Sequence, residues 1–146
     1  MNHLAIYSKK RYSDYIDTIL NGDVSLDIKW MYNKVAPFEK LHKGDIIFIK
    51  ESSGPVVGKV KVKDFEYIEV IHPDQIRDIM KAHFDEMGFE NEDQLNRYAA
   101  KKVAKRYGTL IKFKDPVKFK HSVKIQKLDR RVWIADYILP VDLQIL

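Results

Sequence analysis

Leu41-His42-Lys43-Gly44-Asp45-Ile46-Ile47-Phe48-Ile49-Lys50, followed by Glu51-Ser52-Ser53-Gly54-Pro55-Val56-Val57-Gly58-Lys59-Val60-Lys61-Val62-Lys63, sets the fold class of this chain. Lys43-Gly44-Asp45 is a turn, because Gly44 permits the tight backbone and the Asp45 carboxylate can bond turn amides. The apolar run 46–49 that leaves it is a strand, and 51–55 is a hairpin-type loop. In the return strand Val60 and Val62 alternate with Lys59, Lys61 and Lys63, which turns one face to a core and a row of ammonium groups outward. Gly54 and Gly58 mark sharp turns or close approach of another chain segment.

Upstream, 3–7 is an opening strand. Ser8 is placed to cap a helix in which Tyr12, Tyr15, Ile16, Ile19 and Leu20 share one face, and Asn21-Gly22 ends it. Val24, Leu26 and Ile28 then alternate with Ser25, Asp27 and Lys29, a strand with one polar face. Residues 30–43 form a long connection. Downstream, Pro73 suits the first turn of a helix whose Ile76, Ile79, Met80, His83, Phe84 and Met87 face one way. A second helix is expected over 92–105, with Leu95, Tyr98, Ala99 and Val103 inward. The sheet resumes at 109–113. Val117, Phe119, His121, Val123 and Ile125 alternate with Lys118, Lys120, Ser122 and Lys124, and a last strand is expected over 132–138. Strands interrupted by helices at the start and middle are not regular βαβ units. The fold class is therefore α+β, a twisted, mostly antiparallel sheet or small barrel with flanking helices. One domain over 1–146 is expected, with 115–146 as a C-terminal extension without a place in that scheme.

The net charge of +5 conceals a segregation of sign. Residues 97–131 hold thirteen Lys/Arg against two Asp, whereas 64–96 hold ten Asp/Glu against two Lys/Arg. A basic block of that density is the footprint of a polyanion binder, unless the two blocks neutralise each other across the fold. The chain has no cysteine, which excludes disulfides, thiol nucleophiles and thiolate metal sites. His3, His42, His72, His83 and His121 show no metal-ligand spacing, and there is no HExxH, glycine-rich phosphate loop or nucleophile elbow. No metal or cofactor is expected. Charges throughout 1–30 and the lack of a long apolar run lead to the expectation of a cytoplasmic protein with no membrane partner.

The 41–60 stretch, the helix end Ile19-Leu20-Asn21-Gly22 with the strand reaching Lys29, and Arg106-Tyr107-Gly108-Thr109-Leu110-Ile111 together resemble the ASCH domain of the PUA-like superfamily of pseudo-barrels. The glycine–aspartate strand and the Gly-x-Val pattern also resemble the related EVE domain. The resemblance implies RNA binding, or handling of modified nucleosides in a cleft beside the barrel. One ASCH branch hydrolyses acetylated cytidine with a Lys, a Thr and a Glu, on the pattern Gly-x-Lys-x-x-Thr-x-Arg. Here the matching positions are Gly22, Val24, Asp27 and Lys29. The catalytic Lys and Thr are thus replaced, and that amidohydrolase mechanism does not carry over.

The candidate binding residues form four groups. Lys29, Trp30, Tyr32 and Asn33 join a cation, two aromatics and an amide at the start of a loop, where a flipped base could stack and be read. Lys50 precedes the hairpin loop and Ser53 lies within it. Lys101, Lys102, Lys105 and Arg106 gather at a helix end, with 101, 102 and 105 crowding one side, where phosphate or the helix dipole would favour them. Arg130, Arg131 and Trp133 offer guanidinium forks and a stacking ring. Trp30 and Trp133 also fit core positions. The expected cleft lies near Lys29, Trp30, Lys50, Ser53 and Arg131, and the expected ligand is RNA or a modified nucleotide. A binding module is the favoured function. A nucleoside-modification hydrolase or ribonuclease of the same fold is the second reading, and a charge-driven interaction module or homo-oligomer is the third.

Overall fold

Along the chain follow β1 (Asn2–Tyr7), α1 (Tyr15–Leu20), β2 (Leu26–Met31), β3 (Ile46–Glu51), β4 (Val56–Glu69), α2 (Asp74–Ala82), α3 (Glu92–Ala100), β5 (Tyr107–Val123) and β6 (Trp133–Ala135). The computed structural model describes residues 1–8, 14–126 and 130–140. The strands make one six-stranded sheet in the order β2-β5-β4-β3-β1-β6, curled into a half-barrel. β1 and β3 run parallel and the other neighbours antiparallel, so the sheet is mixed.

The β3–β4 hairpin follows from its turn chemistry. Gly44 has φ +87°, which few residues but glycine adopt comfortably, and the backbone N–H of His42 donates to Asp45 Oδ2 at 2.9 Å. Gly58 is a position of close approach: a Cβ there would stand 2.5 Å from the Val117 carbonyl oxygen and 2.6 Å from Leu20 Cδ2, so α1 and β5 both press on it.

Two buried clusters hold the sheet. The larger joins Ala5, Tyr7, Ile47, Ile49, Val60, Val62 and α1 to Leu26, Ile28 and Trp30, and onward to Ile76, Met80, Met87, Leu95 and Ala99 under the helix pair. The smaller comprises Leu4, Phe48, Val56, Phe119, Val123 and Leu139. α3 begins with Asn91 Oδ1 accepting from the Gln94 N–H at 2.8 Å, while Gln94 Oε1 accepts from the Glu90 N–H at 2.8 Å, close to a capping box.

Several local expectations are corrected. α1 starts at Tyr15 behind Asp14, so Ser8 is not its cap, and Tyr12 lies outside the described residues. α3 ends at Ala100, and Val103, expected inward, is half exposed. β5 is a single 17-residue strand through Lys114 into the supposed extension, with Val117 opposite Lys59 and Val123 opposite Val56. Val117 and His121 face solvent rather than a core, because the register shifts on both sides of Lys59 and breaks the simple alternation. His83 is half-buried, its Nδ1 3.1 Å from Glu86 Oε1. β6 has three residues where seven were expected.

Candidate nucleic-acid interface

Both faces of β2 are buried, and its second face is polar. Asp27 is fully buried, accepting from Tyr7 Oη at 2.9 Å and Tyr15 Oη at 3.1 Å. Lys29, also buried, brings its Nζ to 3.7 Å from Asp27 Oδ2 and 3.6 Å from the centre of the Tyr7 ring. Burying a carboxylate is costly unless it is paired and hydrogen-bonded, and this cluster meets both conditions. β1, α1 and β2 each contribute, so the cluster ties three elements together.

Beside it open two adjoining clefts. The larger, about 740 Å³, is lined by Ile6, Lys50, the hairpin loop Ser52 to Pro55, Lys124, Ile125, Gln126, Arg130, Arg131 and Val132. The smaller, about 410 Å³, is lined by Ile6, Tyr7, Ser8, Ile28, Lys29, Trp30, Met31, Tyr98, Lys101, Lys102, Lys105 and Val132. Ile6 and Val132 line both and form the ridge between them. Among the described residues the two linings hold eight Lys or Arg and no Asp or Glu.

The candidate residues distribute unevenly over this surface. Lys50, Ser53, Arg130 and Arg131 come together in the larger cleft, and Lys29, Trp30, Lys101 and Lys105 in the smaller. Tyr32 is 56% exposed, with Lys105 Nζ 3.7 Å above its ring. Asn33 and Arg106 are exposed outside both linings, and Arg106 Nη1 donates to the carbonyls of Ala104 and Lys105 at 3.3 and 3.4 Å. Trp30 is 4% exposed, and its six-membered ring packs on Gly108, so it offers no free stacking face. Trp133 is 2% exposed and belongs to the core, not to a binding surface. Lys102, from the same cationic cluster as Lys101 and Lys105, lines the smaller cleft with them; Lys124 and Tyr98 line the clefts but were not singled out as binding residues. Asp27, an acid inside a strand pattern, was the signal for the buried cluster.

Trp133 has a different task. Its Nε1–H donates to His3 Nδ1 at 3.2 Å, and His3 Nε2 lies 2.8 Å from Asp45 Oδ2. Nδ1 can accept only when it carries no proton, so His3 is neutral and donates through Nε2. Burial holds His3 below its ordinary value, against the pull of Asp45. Burial works to raise Asp45, yet the bonds from His3 and the His42 backbone prevail and lower it. This chain pins β6 to β1 and so places Arg131 and Val132, which immediately precede it, at the clefts.

The two charged blocks are not simply paired with each other. In the acidic block, Glu69 meets Lys34 at 3.4 Å, Asp64 meets Lys43 at 3.7 Å, and Glu92 meets Arg77 and Lys81 at 2.9 and 3.6 Å, all cations from outside the basic block. Among the described residues no cluster of His, Asp and Glu suits a metal ion, and no helix is long and apolar enough to cross a membrane.

No family model and no curated protein matches the sequence. Solved structures match the fold. The ASCH protein of Zymomonas mobilis superposes with a TM-score of 0.59 at 11% identity, over 85% of this chain and 73% of that one. A serine-to-alanine variant of the same protein gives 0.62 at 8% identity, over 92% and 87% of the two chains. The N-terminal domain of Staphylothermus marinus McrB gives 0.50 at 14% identity, over 84% and 76%. The expected fold class and resemblance therefore hold: the chain has the fold of the ASCH domain, an α+β, PUA-like half-barrel with flanking helices.

Proposed function

We propose that this protein binds single-stranded nucleic acid, RNA in preference to DNA, across the two adjoining clefts. The observation that carries the reading is their lining, eight cations without a carboxylate among the described residues. Phosphates occupy the larger cleft, where Arg130 and Arg131 supply planar forks and Lys50 and Lys124 supply point charges. A base, plain or modified, enters the smaller cleft beside Tyr98, with Lys29 and Asp27 in its wall or just behind it. Phosphate contacts position the strand and the base contact selects it. The fold supports the reading by analogy only, since function lives in the site.

A second reading, hydrolysis of a modified nucleoside, is favoured by one feature: the buried Asp27 carboxylate 3.7 Å from an amine at a cleft wall. Incubation with acetylated and methylated nucleosides, followed by chromatography, separates the two. Turnover that stops in Asp27→Asn supports hydrolysis. For binding, labelled single-stranded RNA, duplex RNA and single-stranded DNA are titrated in parallel against the parent and the Arg130→Gln/Arg131→Gln variant. Tighter binding of single-stranded RNA that weakens in the variant supports the proposal. Equal affinity in parent and variant removes the larger cleft from it.

A further inference from the structure

The sheet face that carries the larger cleft bears a ladder of ammonium groups running away from it. In the β3–β4 register Lys50 stands opposite Val56, Phe48 opposite Lys59 and Ile46 opposite Lys61, and across β4–β5 Lys61 stands directly opposite Lys114. Directly opposed residues share a face, as do alternate residues along a strand. Lys50, Lys59, Lys61 and Lys114 are therefore on one face. Each two-residue step is about 6.6–6.8 Å. Lys59 stands one step down the sheet from Lys50, and the Lys61–Lys114 pair stands two.

Three features set this ladder apart from an ordinary solvated face. β4 is paired on both sides at Lys59 and Lys61, so these two lysines do not protect a sheet edge, whereas Lys114 lies just past Lys112, where the pairing of β5 with β2 ends. Like charges directly opposed across strands are unfavourable, yet Lys61 and Lys114 are so placed. Lys34, Lys43, Lys81 and Lys118 each have a carboxylate oxygen between 3.4 and 3.7 Å. Lys59, Lys61 and Lys114 have none within ion-pair distance among the described residues. Their charge is left for a partner, and the step between them suits the backbone of an extended single strand.

We propose that a single-stranded polynucleotide held in the larger cleft continues along this face, with successive phosphates on Lys59 and on the Lys61–Lys114 pair. The inference rests on the reading of the cleft as a nucleic-acid site. It adds that the ligand is a strand of at least about four nucleotides, the lower end of site sizes for grooves that track a backbone, and not a free nucleotide.

The test compares labelled oligouridylates of about three and about twelve nucleotides, spanning less and more than such a groove, over a salt series. The proteins are the parent, Lys59→Gln/Lys61→Gln/Lys114→Gln, and Arg130→Gln/Arg131→Gln. The lysine variant is expected to lower the log–log salt slope for the long strand by about 1.4, at ~0.7 for each of the two lost phosphate contacts, and to leave the short strand unchanged. Its melting temperature is expected to be no lower than the parent's, since the substitutions relieve a repulsion. The arginine variant weakens both strands. An unchanged slope for the long strand in the lysine variant, with the arginine variant weakened, overturns the ladder alone. Equal losses for both lengths in the lysine variant also overturn it. If neither strand binds the parent, the cleft reading fails and the ladder with it.

Discussion

Lowering the pH from 7.5 to about 5.5, across the ordinary titration of histidine, removes the anchor of β6 through one imidazole. In the folded protein His3 accepts from Trp133 at Nδ1 and donates from Nε2 to Asp45, and burial favours the neutral ring. In the unfolded chain His3 takes up a proton below 6.5, the ordinary value for histidine. The unfolded state then binds more protons than the folded one, so stability rises with pH in this window and is lost on acidification from 6.5 downward. The slope approaches about 1.4 kcal/mol per pH unit until the lowered folded value is reached. Asp45 is also lowered, but its contribution is present above 3.8 and is lost only below that, outside the window. His42, whose Nδ1 lies 3.8 Å from the Asp45 carboxylate, faces the same group. Urea unfolding at closely spaced pH values measures the slope in the parent and in His3→Gln, which retains an amide donor and acceptor but does not titrate. The slope is expected in the parent and absent or much reduced in His3→Gln. A parent whose stability is flat from pH 7 to 5.5, or a variant with the parent's slope, refutes the neutral-histidine anchor.

Two further substitutions test the packing behind the clefts. Gly108→Ala would place a methyl 2.5 Å from Trp30 Cζ3 against a buried ring, so a loss of about 1–3 kcal/mol is expected from overpacking, read as a lower melting temperature. Asp27→Ala leaves two buried hydroxyls and the Lys29 ammonium without their carboxylate, at a cost of about 3–5 kcal/mol, whereas Asp27→Asn retains an acceptor and should cost less; denaturant titration ranks the two.

Local chemistry made β3, β4 and their hairpin legible, because a glycine–aspartate turn and strict alternation act within a few residues. The parallel pairing of β1 with β3 was not legible, since nothing in either strand names its neighbour. Lys114-Asp115-Pro116 reads as a break, yet β5 passes through it: Asp115 takes φ +51° and the register shift absorbs the extra residue. Two arginines beside a tryptophan suggest a stacking platform. Trp133 is instead core because its indole meets His3, 130 residues away in sequence. The same distance effect explains the clefts. Lys50 and Arg131 converge only because β6 joins the sheet beside β1. Lys124 looked like one more lysine of an exposed row until the end of β5 was brought to that cleft. Asp27 sits where alternation assigns solvent, and only the tyrosines of β1 and α1 make that position a buried one.

Titrating labelled single-stranded RNA with the parent protein across a salt series shows whether the clefts bind a nucleic-acid strand through its phosphates. Log affinity is expected to fall linearly with log salt, with a slope of about −3 or steeper for four phosphates met by the four cations of the larger cleft. No binding at the lowest salt, or binding with a slope near zero, would contradict it.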